Sequence, residues 1–138
     1  MYEFGRCLGM AFQLQDDLLD VYGSPEIFGK EIGGDIVSNK KTYLLLKALE
    51  LADYQTRKSL ENWFFNKSDT KVEGKPDHHK KIVNVIACYD KLNIKEQALI
   101  QINHYAEKAF SHLDSIQIEN KRKLQLTTYC MGLYQREF

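Results

Sequence analysis

Prolines are almost absent from this chain: in 138 residues only Pro25 and Pro76 occur. Each stands in a polar, glycine-bearing stretch, and everywhere else apolar residues recur at three- and four-residue spacing. That spacing is the signature of helices with one buried face. The fold class expected is therefore all-α, a helical bundle. From Tyr2 to Tyr22 apolar residues lie almost all round, which suggests a helix buried in the middle of the bundle, ended by Gly23-Ser24-Pro25. A second apolar helix is expected over Thr42 to Ala52, and Asp53 can cap a third that runs through Phe65. Asn66 to Asp77, rich in Lys, Asp, Gly and Pro, reads as a loop. Beyond it one core stripe (Ile82, Val83, Val85, Ile86, Tyr89) runs to a break at Leu92-Asn93. A longer stripe from Ile94 to Leu113 and a final amphipathic helix from about Asn120 to Gln135 complete the chain.

Within the first helix lies an anomaly. Phe12-Gln13-Leu14-Gln15-Asp16-Asp17-Leu18-Leu19-Asp20 puts three carboxylates into an otherwise apolar segment. On a helix Asp16 and Asp20 stand one turn apart on the same face, with Asp17 about 100° round from Asp16 at the cluster's edge. Like charges this close repel, burial among Leu14, Leu18, Leu19 and Val21 penalises them further, and the helix C-terminus is the wrong pole for anions. A divalent cation would relieve all of this, although a short DDxxD pattern is also compatible with a solvated helix face. Hard oxygen ligands from a few aspartates suit Mg2+, which is commonly shared between carboxylates and substrate phosphates. The residues that follow carry cations and flexible turns suited to phosphate: Lys30 beside Gly29, the Gly33-Gly34 pair, Asp35, and Lys40-Lys41-Thr42.

Taken together, the run from Phe12 to Leu44 resembles the second aspartate-rich region of the trans-isoprenyl diphosphate synthases, the farnesyl and geranylgeranyl diphosphate synthase family. Its pattern reads FQxxDDxxD, a Gly-Lys loop, then a Gly-Asp-Ile segment ending in Asn-Lys or Lys-Lys-Thr. The resemblance implies the C-terminal portion of an isoprenoid synthase-type fold. It also implies 1′–4 trans condensation of an allylic diphosphate with isopentenyl diphosphate and release of diphosphate. In those terms Asp16, with Asp20 in support, would bind Mg2+ bridging to the allylic diphosphate, and Asp17 would orient waters or the ligand network. Gln13 would line the active site, Lys30 and Lys40 would contact the diphosphate, and Asp35 would support them. Lys41 reads as a solvated lysine and Phe12 as core. Arg136, in a tail less basic than the family's, is a minor candidate for the diphosphate.

The family pairs two aspartate-rich motifs on facing helices, and only one occurs here. The other acids are scattered singly, and no Gly-Lys-Arg type segment for isopentenyl diphosphate is present. The expectation is thus a single unit, residues 1–138, corresponding to the C-terminal part of a polyprenyl synthetase whose N-terminal half is missing, and inactive alone. Two alternatives stay open: a non-catalytic helical subunit that pairs with a complete synthase, and a fragment related to class I terpene synthases.

Zero net charge gives no support for a nucleic-acid partner. No run of about eighteen apolar residues opens or crosses the chain, so neither a signal peptide nor a transmembrane segment is expected. Cys7, Cys88 and Cys130 form no CxxC and suggest neither disulfides nor zinc; reduced thiols fit a cytoplasmic location. His78-His79 diverge on a helix, while His104 and His112 are not an i, i+4 pair, so the histidines read as structural or solvated. Apolar faces left by a missing half imply a homo-oligomer.

Overall fold

A computed structural model describes residues 2–23, 32–65 and 78–134. Every regular element among them is helical: α1 (Tyr2–Tyr22), a single turn α2 (Gly34–Val37), α3 (Tyr43–Leu51), α4 (Tyr54–Phe65), α5 (His78–Lys91), α6 (Ile94–Asp114) and α7 (Asn120–Tyr134). The all-α expectation holds. Lys30, Arg136 and the expected loop from Asn66 to Asp77 lie outside the described residues.

The two 21-residue helices, α1 and α6, form the spine and pack more extensively against each other than any other pair. Small side chains permit this: Cys7 and Ala11 on α1, and Ala98, Ala106 and Ala109 on α6, are all buried. Around the C-terminal part of α1, the buried Leu14, Leu18 and Val21 join Leu44, Leu45, Leu60, Val85 and Tyr89 in the main core. Around its N-terminal part, Phe4 and Cys7 pack with Ala109 and Leu113 in a smaller second core.

Local chemistry explains the boundaries. Asp53 Oδ1 accepts the Thr56 amide at 2.7 Å and caps α4, while the Thr42 hydroxyl accepts the Leu45 amide at 3.3 Å and caps α3. Asn93, at φ 55°, makes the sharp turn between α5 and α6 at the expected break. Gly33 is required twice over. Its φ of +92° is left-handed, and a Cβ there would stand 2.8 Å from the Ile82 side chain.

Two expectations need correcting. α1 is not buried all round, since Tyr2 is 79% and Met10 39% exposed; the apolar stripe from Phe4 through Cys7, Ala11, Leu14 and Leu18 to Val21 is covered, with Gln15 and Asp17 buried beside it. Val83 is half exposed rather than core, because on α5 the buried positions Lys81, Val85 and Tyr89 are spaced by four and Val83 falls between them. α7 lies on the outside with Leu124 and Tyr129 exposed, joined to α6 by the Lys123 ammonium, which donates to the Asp114 carbonyl at 2.9 Å.

Candidate functional site

The last two turns of α1 and the segment from Gly33 to Thr42 come together at one end of the bundle. Asp20 makes the junction. Its backbone carbonyl accepts the Gly33 amide at 2.8 Å, and its Oδ2 accepts the Asp35 amide at 2.9 Å. Gly33 has no side chain with which to cap α2, so a carboxylate from another helix takes the orphan amide instead. One oxygen of Asp20 is thereby committed to holding the turn.

After α2 the chain reverses through Asn39, at φ 58°, and the Lys40 amide donates to the Asp35 carbonyl at 2.9 Å. This swings the Lys40 side chain back over α1. Its ammonium donates to Asp17 Oδ1 at 3.3 Å and stands 3.8 Å from Asp35 Oδ2. Asp17 is 5% exposed, and its Oδ1 also accepts the Gln13 amide nitrogen at 3.1 Å. The charge of Asp17 holds the Lys40 ammonium above the usual lysine range, with Asp35 and Asp20 adding to it and partial desolvation opposing.

The roles suggested by helix geometry are redistributed. Asp17, expected at the edge, is the buried centre; the 100° that separates it from Asp16 turns it toward the core and under Lys40. Asp16 is exposed and Asp20 half-buried. The penalty for burying Asp17 is met by Lys40 and Gln13, and among the described residues no buried side-chain nitrogen or oxygen lacks a hydrogen-bond partner. Burial alone therefore does not demand a metal here. Nor do the three aspartates of α1 converge into one cage. Among the described residues only a different group, at the far end of α1, brings three potential ligand atoms within 4.8 Å of one another.

Such an open, oxygen-only donor set does fit Mg2+, which takes one or two carboxylates and fills its remaining positions with water and substrate phosphate. It would not fit an ion that needs a closed protein cage. Lys40, half exposed, presents its ammonium at the rim where a phosphate could meet it.

Lys81 escaped the sequence reading. It comes from α5, is only 6% exposed, donates to Asn39 Oδ1 and lies 5.1 Å from the centre of the Phe64 ring. Burial depresses its amine below the usual lysine range. It pins Asn39, the left-handed residue immediately before Lys40. The only hint in the sequence was its spacing of four from the apolar Val85. His78 and His79 are exposed at the start of α5, in line with solvated residues.

Comparison with known proteins points in one direction. A sequence model of a family described as polyprenyl synthetase matches residues 1–86. The chain is 34% identical over 133 residues to farnesyl pyrophosphate synthase 1 of Lupinus albus, an alignment covering 94% of the chain and 34% of that protein. In three dimensions it is similar to a crystal structure of geranylgeranyl pyrophosphate synthase, with a TM-score of 0.83 and 36% identity, covering 99% of the chain and 41% of that protein. It is also similar to geranylgeranyl pyrophosphate synthase from Corynebacterium glutamicum complexed with isoprenyl diphosphate and magnesium, with a TM-score of 0.79 and 28% identity, covering 98% of the chain and 36% of that protein. The chain thus spans about a third to two fifths of the length of these relatives.

Proposed function

Because the chain belongs to the polyprenyl synthetase family, we propose that the end of α1 and the Gly33–Thr42 segment form the diphosphate-and-magnesium half of a trans-prenyltransferase site. The reaction would join an allylic diphosphate to isopentenyl diphosphate with loss of diphosphate. The observation that carries this reading is the meeting of Lys40 with Asp17 and Asp35, 3.3 Å and 3.8 Å away, beside the remaining aspartates of the cluster. An ammonium among carboxylates at a rim is arranged to admit a polyphosphate together with cations.

In this reading Asp16, Asp17 and Asp20 hold Mg2+. The chemistry it supplies when bound is neutralisation of the negative charge that grows on the departing diphosphate as the allylic C–O bond breaks. Lys40, with Lys30, binds diphosphate oxygens. Gln13 orients the Asp17 carboxylate, and Asp35 keeps the Lys40 ammonium over the site. Lys81, acting through Asn39, fixes the turn that aims Lys40. The Asp20–Asp35 bond sets the distance between the acidic helix and the cationic turn, so that both sides of the half-site are organised before ligand arrives.

One aspartate-rich cluster is half of what the reaction needs, so the chain alone is proposed to bind ligand without turnover and to require a second cluster for condensation. No helix among the described residues is long and apolar enough to cross a membrane. A cytoplasmic location is part of the proposal, supported by the free thiols of Cys7 and Cys88. Exposed apolar side chains such as Tyr2, Leu46, Ile100 and Leu124 favour self-association, which light scattering at micromolar concentration would detect as a dimer or larger species.

Titration calorimetry with inorganic diphosphate tests the central claim. Binding is expected in the presence of Mg2+ and to vanish with a chelator; equal affinity without Mg2+ would refute it. Product formed by the chain alone from allylic and isopentenyl diphosphates would refute the half-site reading.

A further inference from the structure

At the opposite end of α1, 4 residues apart on one helix face, stand Glu3 and Cys7. Facing them from the last turn of α6 is His112. A carboxylate oxygen, the Cys7 sulfur and an imidazole nitrogen lie within 4.8 Å of one another. We propose that these three side chains form a site for a borderline-soft divalent transition metal of the Zn2+ class, which would clip α1 to α6.

Donor chemistry supports the assignment. Thiolate, imidazole and carboxylate are the ligands Zn2+ takes, and three of them leave a fourth tetrahedral position for water. Two ligands one turn apart on a helix with a third from a neighbour is a chelating arrangement that needs no backbone movement. Around one tetrahedral Zn2+ the ligand atoms stand roughly 3.3–3.8 Å apart. The present spacing of up to 4.8 Å exceeds this by roughly 1 Å, the distance that metal binding has to close. Binding forms a Zn–S bond as the Cys7 thiol releases its proton to solvent, and no electrons are transferred.

Burial supports it too. Cys7 is fully buried in the second core among Phe4, Ala109 and Leu113, while Glu3 is exposed and His112 half-buried, so the group has an apolar floor and an open mouth. A dication joined to one thiolate and one carboxylate carries no net charge, which is the form an apolar edge tolerates.

A cation already occupies this position. The Arg6 guanidinium bonds Glu3 Oε2 through Nε at 3.1 Å and Nη2 at 3.0 Å, and Nη2 lies 3.9 Å from the Cys7 sulfur. The Glu3 carboxyl is held below the usual range first by that hydrogen bond, and the charges of Arg6, His112 and Lys108 also draw it down. Arg6 is exposed enough to leave, and its departure sets the affinity: a metal must displace it. Among the described residues no comparable competitor bonds His112.

The test is direct titration of the metal-free chain with Zn2+, and with Co2+ as a spectroscopic reporter. One Zn2+ per chain is expected, and Co2+ should give a near-ultraviolet thiolate-to-metal band. Cys7→Ser should abolish the band, and both Cys7→Ser and His112→Gln should weaken Zn2+ binding by about tenfold or more. Arg6→Gln should strengthen it by removing the competitor. Absence of a thiolate band, or unchanged Zn2+ binding in both Cys7→Ser and His112→Gln, would overturn the proposal; a band that survives Cys7→Ser would likewise overturn it and assign the metal to another cysteine. His112→Gln, at a half-buried position, keeps the test decisive if Cys7→Ser fails to fold.

Discussion

The two ends of α1 solve the same problem differently. At the C-terminal end the buried Asp17 meets Lys40 at 3.3 Å, inside a network that also ties down Gln13 and Asp35. At the N-terminal end Glu3 meets Arg6 at 3.0 Å, but both side chains are more than two fifths exposed. An exposed i, i+3 ion pair contributes little and is readily exchanged, whereas removing one partner of a buried pair strands the other charge. The donors differ as well: oxygen alone at one end; oxygen, sulfur and nitrogen at the other. The first suits a hard cation shared with phosphate, the second a transition metal that needs no substrate. On the two proposals made above, one helix carries two cation-receptive ends, and which ion each would prefer follows from ligand softness and burial rather than from the number of acids.

Both ends belong to one folding unit only if α1 transmits stability along its length, and Leu18 tests that. It is fully buried in the main core one residue from Asp17. Leu18→Ala is expected to cost about 2–5 kcal/mol, the range for emptying a leucine site in a packed core. Because α1 and α6 run through both cores, thermal unfolding followed by circular dichroism should stay a single transition at a lower temperature. Two separated transitions would mean that the ends fold independently.

Asp17→Asn separates the ends functionally. It keeps the side chain's shape and removes the charge that faces Lys40, so Mg2+-dependent diphosphate binding is expected to fall about 100-fold, while Zn2+ uptake at the far end stays within about twofold of wild type. Calorimetric titration of the same variant with each ligand checks both halves, and parallel losses would show that the variant had merely loosened the fold.

A smaller effect is expected at Thr42. Loss of its hydroxyl in Thr42→Ala leaves the Leu45 amide without its cap, at a cost of about 1 kcal/mol. Thr42 lies two residues beyond Lys40, so diphosphate binding should weaken more than Zn2+ uptake does. Equal weakening would show that the cap serves the bundle at large.

What the sequence could disclose follows from range. Asp53 was readable as a cap because its partner, the Thr56 amide, is three residues away, and the break at Leu92-Asn93 was readable because turn chemistry is local. The aspartates, Lys40 and Asp35 were readable as a set because motif spacing preserves their order. The centrality of Asp17 was not: it depends on which face of α1 looks inward, and the acids' own spacing does not say. Lys81 was hidden for the same reason. A lysine in a basic run reads as solvated, and only the tertiary fold brings it onto Asn39, 42 residues away. The grouping of Cys7 with His112 is more remote still, since neither forms a ligand pattern with its own neighbours.

The smallest expected effect is also the one that separates Lys40 from Lys81. The Lys40 ammonium is held above the usual lysine range by the charge of Asp17, so its contribution to stability is complete below the ordinary lysine value and is lost as pH rises through the elevated one. Burial depresses the Lys81 amine, which reverses the sign: as pH climbs from below toward the ordinary value, the folded chain sheds this proton before the unfolded chain does, and stability rises. Cys88, Tyr22, Tyr43 and Tyr89, all raised first by burial, act in the same sense as Lys40, because the unfolded thiol and phenols ionise first, and they do so below the ordinary lysine value. Stability should therefore fall across the alkaline range, with Lys81 opposing the fall. Urea titrations across alkaline pH should show a steeper fall in Lys81→Met and a shallower one, though not its removal, in Lys40→Met. A fall unchanged in Lys81→Met would mean that the buried amine does not contribute in this window.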